Sequence, residues 1–395
     1  MSDNQKAINR EPLVPLEYHQ QLVEYIQKKE TAVWNWAQSE AMRKSNADEL
    51  RDSMLRQTYR MEPEGHPNIY QACHTAMAKL NIEAPVTLYQ ASDTTMNAAL
   101  CFIPGEIHLI FYGPILERLG PDELLALMGH ELAHYVLWMT DEGKFYTARR
   151  ILDFALSYDG SAPSHRETAR LMNLYTELFA DRGAALVVNG VGPAIAILVK
   201  TMTGIATVDP AAYLRQAQEL DDAGKSEGHS HPEVFLRAQA LDRWWQQEEM
   251  LQDWIDGRLR GPLSIESLDL LRQQDLAEMT RAFLVRLSRE IGVNSDPVQT
   301  QIKRLFPNLR EDAAVLDLNL IARDKIDDPT RGYFIALIFD CAMADPDIRD
   351  EVMLAGAKIA KTIGADALFV AALKRDLKWT KQASDRLMAK ATKAN

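Results

Sequence analysis

Cysteine is scarce in this sequence. Only three cysteines occur among the 395 residues, Cys73, Cys101 and Cys341, and no two of them form a CxxC pair. A disulfide framework and a zinc site made of thiolates both require paired cysteines. The sequence therefore argues against both, and it favours a protein of a reducing compartment.

Positive charge is also in short supply. The chain has 44 basic and 56 acidic side chains, which give a formal net charge of −12. Affinity for DNA or RNA comes largely from Lys and Arg side chains that neutralise phosphates. We therefore expect no nucleic-acid partner.

Targeting segments and long apolar runs are missing as well. Residues 1–12 contain no apolar stretch of the kind found in secretory signals. The longest uncharged stretch, residues 183–199, includes Asn189, Pro193 and three glycines, and it is shorter than the ~20 apolar residues of a membrane-spanning helix. The sequence predicts a cytoplasmic protein without a transmembrane segment, in which 183–199 forms a buried helix and a turn.

The patterns that are present predict a mostly helical α+β protein. Residues 84–111 contain β-favouring runs around a Pro-Gly turn, which indicate a small antiparallel sheet. Helical patterns precede and follow them. The length predicts two or three domains, and a stretch with two glycines and a proline at 257–262 indicates a linker. We predict an N-terminal helical segment, a central domain and an all-α accessory domain, with the boundaries 1–62, 63–260 and 264–395.

The chemistry-bearing motif is His130-Glu131-Leu-Ala-His134, inside an apolar helix that Gly120-Pro121 opens. Histidines at i and i+4 project from one helix face about 40° apart, so both imidazoles can reach one metal ion. Glu131 is placed to act on a water at that metal. The alternative is a pair of core histidines beside a solvated glutamate, but burying these groups without partners would cost several kcal/mol.

A second pair of residues supplies candidates for the rest of the site. A catalytic zinc site needs a third protein ligand and an open fourth position. Glu177 and Asp181 are again at i and i+4, with apolar residues between them. Glu177 suits the third ligand, and Asp181 suits a supporting carboxylate that orients a ligand histidine. The alternative is a solvated acidic pair beside Arg182.

These two motifs together resemble the gluzincin metallopeptidases of the HtpX and CAAX prenyl protease type, whose pattern is HExxH followed by ExxAD. The resemblance covers about residues 66–240, in five blocks that keep the family order. The three additional blocks are Asn97-Ala98, Glu123-Leu124 and Ser230-His231-Pro232 with Arg237. It implies a zincin-type domain with the activity of a zinc endopeptidase. The lack of a transmembrane helix argues against prenylated or membrane-embedded substrates.

The expected mechanism assigns a role to each residue of the site. One Zn²⁺ per chain, held by His130, His134 and Glu177, would acidify a water and polarise the scissile carbonyl. Glu131 would be the general base. By the resemblance, His231 would approach the substrate and stabilise developing negative charge. A peptide or protein substrate would add to an edge strand that includes Asn97, Ala98, Ala99 and Leu100.

The C-terminal region carries a weaker resemblance. Residues 328–380 resemble the TerB-like helical domains, which place acidic residues after an apolar helix, but Asp345-Pro346 stands where those domains have Asp-Gly. A solvated cluster at a helix start is therefore favoured over a metal site. A protein partner could bind this domain. The alternative function for the whole chain is a non-catalytic, zinc-containing adaptor that binds such a partner.

Overall fold

The computed structural model describes residues 13–220, 224–292, 295–309 and 314–393, without the side chains of 40–46. It forms two compact units, Met1–Gly261 and Pro262–Asn395. Residues 1–12 lie outside the described residues. The first part of the predicted segment 1–62 and the expected absence of a secretory signal both concern these residues. The division into a peptidase domain and an accessory domain stays a prediction.

The first unit consists mainly of helices around a small sheet. Its helices are α1 (Glu17–Lys29), α2 (Thr31–Ala37), α3 (Glu40–Gln57), α4 (Pro67–Lys79), α5 (Ile115–Arg118), α6 (Pro121–Met139), α7 (Lys144–Leu156), α8 (Pro163–Val188), α9 (Gly192–Thr203), α10 (Pro210–Gln218), α11 (Val234–Trp245) and α12 (Leu251–Leu259). Its strands are β1 (Thr58–Met61), β2 (Val86–Ala91), β3 (Asn97–Ile103) and β4 (Glu106–Tyr112).

The sheet has the strand order β1-β2-β4-β3. The turn at Pro104-Gly105 folds β3 and β4 into the expected antiparallel hairpin, and β1 also pairs antiparallel with β2. However, β2 and β4 are parallel, so the sheet is mixed and the expectation of an antiparallel sheet was wrong in this respect. The reason is that the loop 92–96 does not place β3 directly beside β2 but leaves room for one strand between them. β4 then returns between β2 and β3 and leaves β3 at the edge.

The helices α6 and α8 pack closely, which positions the two motifs. A Cβ atom on Gly129 would lie 2.9 Å from the Gly183 carbonyl oxygen, and one on Gly183 would overlap the Ala133 side chain. Glycines at both positions let the two helix backbones approach where side chains would hold them apart. This crossing brings the middle of α8 beside the HExxH turn of α6.

The second unit is all-α and has its own apolar core. Its helices are α13 (Leu270–Ile291), α14 (Asp296–Leu305), α15 (Asp328–Ala344), α16 (Arg349–Thr362), α17 (Asp366–Asp376) and α18 (Lys381–Lys393). After α15, the Asp345 carboxylate accepts hydrogen bonds from the Asp347 backbone N–H and from the Ser295 hydroxyl. These contacts fit the predicted helix-start cluster, and the TerB-like resemblance stays a prediction.

The fold class is confirmed as mostly helical α+β. The stretch 183–199 forms the end of α8, a turn at Asn189 with φ +53°, and the first eight residues of α9, as predicted. None of the described helices has the length and apolar composition that crossing a bilayer requires.

Candidate metal centre

The start of α6, the helix that carries the HExxH side chains, is fixed by its own first turn and by a contact with α9. The helix begins at Pro121, where the Glu123 carboxylate accepts the Gly120 backbone N–H at 2.7 Å. The same carboxylate pairs with the buried Lys200 ammonium of α9 at 2.7 Å. A proline and acidic residues in the first turn favour a helix start, and the pair to Lys200 ties this start to α9.

Three side chains from α6 and α8 converge on one point. His130, His134 and Glu177 each offer a ligand atom within 4.8 Å of the other two. Nε2 of His130 lies 3.6 Å from Oε2 of Glu177, and Nε2 of His134 lies 3.8 Å from Oε1 of the same carboxylate. The two imidazole rings are nearly perpendicular, at 87°. The i, i+4 spacing thus places both rings on one side of the helix, facing Glu177.

A buried ion pair stands behind this group. The Arg237 guanidinium of α11 donates two hydrogen bonds to Asp181, at 2.8 and 2.7 Å. Its Nη2 also lies 3.1 Å from Oε2 of Glu177. Asp181 Oδ1 lies 3.1 Å from Nδ1 of His130, although without the alignment of a good hydrogen bond. Asp181 is therefore beside the far nitrogen of His130, where a carboxylate can orient the ring.

The Arg237 charge decides the ionisation of both carboxylates. Burial alone would raise the pKa of Asp181 and of Glu177, but the nearby guanidinium and the imidazole of His130 more than offset this and lower both pKa values. Burial lowers the pKa of His134 to about 3. A metal ion binds neutral imidazoles and ionised carboxylates, so the Glu177 carboxylate and the His134 ring are in the required forms. Burial lowers the pKa of His130, but the Asp181 and Glu177 carboxylates outweigh it and raise this pKa to about 10, so a metal ion would have to displace the His130 proton.

Glu131 has a different environment from Glu177. It is 5% exposed, and burial raises the pKa of its carboxyl to about 7, while His130 and a hydrogen bond from the Leu100 backbone N–H act in the opposite direction. A general base works best when its pKa lies near the operating pH. The contact with Leu100 also places Glu131 next to the edge strand β3.

His231 lies in the loop before α11 and is the exposed member of the site. Its side chain is 55% exposed, and its Nε2 lies 3.6 Å from Oε1 of Glu177. The loop is anchored from α8, because the Arg170 guanidinium donates to the carbonyl oxygens of Ser226 and Gly228 at 3.3 and 2.9 Å. The structure therefore brings His231 to the same carboxylate as the two HExxH histidines.

The site opens into a cleft of about 790 Å³. One wall is the free edge of β3, and Asn97, Ala98, Ala99 and Leu100 all line it. The HExxH helix forms the floor, and residues of α7, α9 and the His231 loop close the other sides. All of the residues that the sequence suggested for the site thus lie in or directly behind one cleft.

The donor set fits a zinc ion. Two imidazole nitrogens and one carboxylate are a typical ligand set of catalytic zinc, which keeps a fourth position open. Among the described residues, this is the one group of three or more His, Cys, Asp or Glu side chains that could hold a metal. The buried Oε2 of Glu177 also lacks an aligned hydrogen-bond donor, which leaves an acceptor for a cation.

Two residues that hold the site together had no assigned role at the sequence level. The family resemblance included Arg237 without giving it a role, and no pattern in the sequence indicated Arg170. No spacing rule connects Arg237 to Asp181, since 56 residues separate them. One clue was present: Arg237 lies between apolar residues on a helix pattern, and an arginine at such a position requires an anionic partner.

Comparison with known proteins supports a metallopeptidase site. Residues 63–245 match the model of Peptidase family M48, and this range includes all the residues of the cleft except those contributed by α3. A similar protein is "Plastoglobule-localized metallopeptidase 48, chloroplastic" of Arabidopsis thaliana, which is 28% identical over 186 residues. The alignment covers 42% of this chain and 53% of the plant protein, so the chain matches about half of that relative's length. No solved structure matches.

Proposed function

We propose that this protein is a zinc endopeptidase that hydrolyses internal peptide bonds of polypeptides bound along β3. The observation that carries the proposal is the convergence of His130, His134 and Glu177 beside the buried Glu131, within the region that matches Peptidase family M48. The HExxH and ExxAD motifs further support a gluzincin site of the HtpX and CAAX prenyl protease type. We also retain the cytoplasm as its proposed location.

The proposed mechanism assigns one task to each side chain. His130, His134 and Glu177 would hold one Zn²⁺, which when bound supplies a Lewis acid for the scissile carbonyl and for a water. Glu131 accepts the proton of the attacking water and delivers it to the leaving amine. Its burial suits this exchange, because burial raises the pKa of the Glu131 carboxyl above its ordinary value and so strengthens it as a base.

The surrounding residues prepare the site for this reaction. Asp181 orients His130, and Arg237 holds Asp181 through two parallel hydrogen bonds, the geometry that fixes a carboxylate most firmly. His231 approaches from the exposed side, where it would donate a hydrogen bond to the oxygen that becomes negative during attack. Such a donor matters most in the transition state.

A substrate would bind as an additional strand. β3 lies at the edge of the sheet, and an extended peptide that pairs with Asn97–Leu100 gains main-chain hydrogen bonds without requiring a particular sequence. The Leu100 backbone N–H reaches Glu131, so a peptide beside Leu100 passes directly over the base. This arrangement supports cleavage within a chain.

The decisive experiment compares the purified protein with Glu131→Gln and with a control, Glu24→Gln on the exposed face of α1. We expect about one zinc per chain in all three, measured by elemental analysis. Cleavage of casein should be lost only in Glu131→Gln. Equal cleavage by all three proteins would remove Glu131 as the base, and absence of zinc would refute the site. Zinc without any cleavage would favour the adaptor alternative, which the comparisons do not support.

A further inference from the structure

The two ends of the cleft differ in chemistry. At one end, apolar side chains from α6 and α9 line it, namely Leu127, Ile197, Leu198 and Met202. Toward the other end of α6, the lining includes aromatic rings and one cation: Phe102, Trp138, Tyr146 and Arg149. A peptide that lies along β3 therefore meets an apolar surface on one side of Glu131 and a positively charged aromatic surface on the other.

Arg149 is held at the cleft by the rings around it. Its guanidinium carbon lies 5.3 Å from the centre of the Trp138 ring, a distance at which a cation is attracted to the ring face. The Phe102 and Tyr146 rings pack at 4.4 Å between β3 and α7. Arg149 forms an ion pair within its own helix, from Nε to Asp153 at 3.4 Å, and its side chain also lines the cleft.

Among the described residues of the cleft, Arg149 carries the charge that a ligand can reach. Among the described residues that line the cleft, the charged side chains other than histidine are Glu131, Glu177, Arg149 and Arg237. Arg237 is 6% exposed, and its charge is taken up by Asp181 and Glu177. Arg149 keeps 37% of its side chain exposed and therefore remains open to an anionic group of a substrate.

The position of Arg149 along β3 indicates whether it contacts substrate residues before or after the scissile bond. Leu100 contacts Glu131, and the Phe102 ring contacts Tyr135 at 5.8 Å, so β3 and α6 run in the same direction. Arg149 lies at the Phe102 end. A peptide paired antiparallel with β3, the commoner strand arrangement, runs from Phe102 toward Asn97. Its residues near Phe102 thus precede the scissile bond.

We propose that Arg149 is a specificity-determining residue that selects substrates with Asp or Glu two or three residues before the scissile bond. This inference rests on the proposed peptidase function. The spacing follows from the strand geometry, since Phe102 is two residues from Leu100 and each residue of a strand advances the chain by about 3.3 Å. The acidic side chain would pair with the guanidinium above the Trp138 ring.

The test uses the full-length, zinc-loaded protein and a peptide library, with cleavage sites identified by mass spectrometry. The variant is Arg149→Glu. The control is Arg286→Glu in α13, because Arg286 forms the same kind of i, i+4 pair with Glu290 at similar exposure, 35%, outside the cleft. Wild type and control should enrich Asp and Glu before the scissile bond by about two- to fivefold, the range for a partly exposed ion pair. Arg149→Glu should instead enrich Lys and Arg there.

Several outcomes would overturn the inference while leaving the peptidase function intact. These are cleavage without acidic enrichment, enrichment after the scissile bond instead of before it, and a preference that Arg149→Glu does not change. If wild type cleaves no peptide of the library, the peptidase function itself fails, and the inference, which rests on it, fails with it.

Discussion

The two units of the protein bury polar side chains in different ways. In the first unit, buried charges from α6, α8 and α11 lie close together: Arg237 pairs with Glu177 and Asp181, and the charges of Glu177 and Arg237 act on the buried Glu131. In the second unit, the buried polar side chains form hydrogen bonds with backbone groups. Asp269 accepts the Arg272 N–H at the start of α13, and Thr330 exchanges hydrogen bonds with Leu263 and Ile265.

The difference identifies where chemistry can occur. Capping groups satisfy backbone donors that would otherwise be left without partners, and they need no ligand. Charges that are buried together cost desolvation free energy, so a fold that keeps several of them at the wall of a cleft indicates a functional site. By this comparison, the first unit carries the chemistry and the second unit is held by its apolar core.

The largest expected effect separates the ligand Glu177 from the supporting Asp181. Glu177→Gln should lose most of the bound zinc, because an amide oxygen is a weak replacement for a carboxylate. Asp181→Asn should retain zinc with affinity or activity lowered by about 10- to 100-fold. Zinc titration with a competing chelator measures both. If Asp181→Asn lost zinc more completely than Glu177→Gln, the two roles would be reversed.

An effect smaller than the zinc loss of Glu177→Gln is expected at His231. His231→Ala should lower kcat by about 10²- to 10³-fold with little change in KM, the scale for loss of one transition-state donor. Zinc content and melting temperature should stay close to those of wild type, since the side chain is exposed. Steady-state kinetics and zinc analysis of His231→Ala and wild type measure these quantities. Release of zinc would show that His231 is a ligand, and unchanged turnover would remove its catalytic role.

Expressing the two units as separate fragments tests directly whether the chemistry belongs to the first unit alone. We expect residues 1–260 to form a fragment that binds zinc and cleaves an unstructured peptide, and residues 264–395 to fold alone as a helical domain without zinc. The reason is that each unit has its own core, and the chain divides at Gly261. Circular dichroism and zinc analysis of both fragments provide the measurement. An insoluble first fragment that only the second one rescues would show that both units share one core.

The smallest predicted effect concerns His19, which the sequence did not single out. Its ring is fully buried between α1 and α8, with Nδ1 accepting the Leu16 backbone N–H and Nε2 bonded to Thr176 at 3.2 Å. Burial, with the charge of Arg182, lowers its pKa from 6.5 to about 3. Between these pH values the unfolded chain binds a proton that the folded chain does not bind, so stability falls as the pH drops below 6.5.

We therefore expect His19 to cost the folded first unit about 2 kcal/mol between pH 7 and pH 5. His19→Gln should remove this part of the pH dependence, and His74→Gln, on the exposed face of α4, should not. Urea unfolding at both pH values tests the difference between the variants. An equal pH dependence of wild type and His19→Gln would contradict a neutral, buried His19.

The sequence alone was enough to predict the elements that follow local rules. The start of α6 at Gly120-Pro121, its HExxH face, the pairing of Glu177 with Asp181 on one side of α8, and the β3–β4 hairpin all depend on residues within a few positions of each other. Helix periodicity and turn chemistry decide such features within a single segment. For this reason, the HExxH residues and the pair Glu177 and Asp181 could be named from their spacing, whereas His231 was implied only by the family resemblance.

The tertiary structure decided what depends on distant segments. The parallel pairing of β2 with β4, the close crossing at Gly129 and Gly183, and the contact of Arg237 with Asp181 each join residues that are not neighbours in the sequence. Burial and electrostatic attraction act through space, and no local pattern records which segments will meet. The spacing within each motif therefore determined which atoms could bind a metal, and the packing of α6, α8 and α11 determined that these atoms lie together beside the edge strand β3.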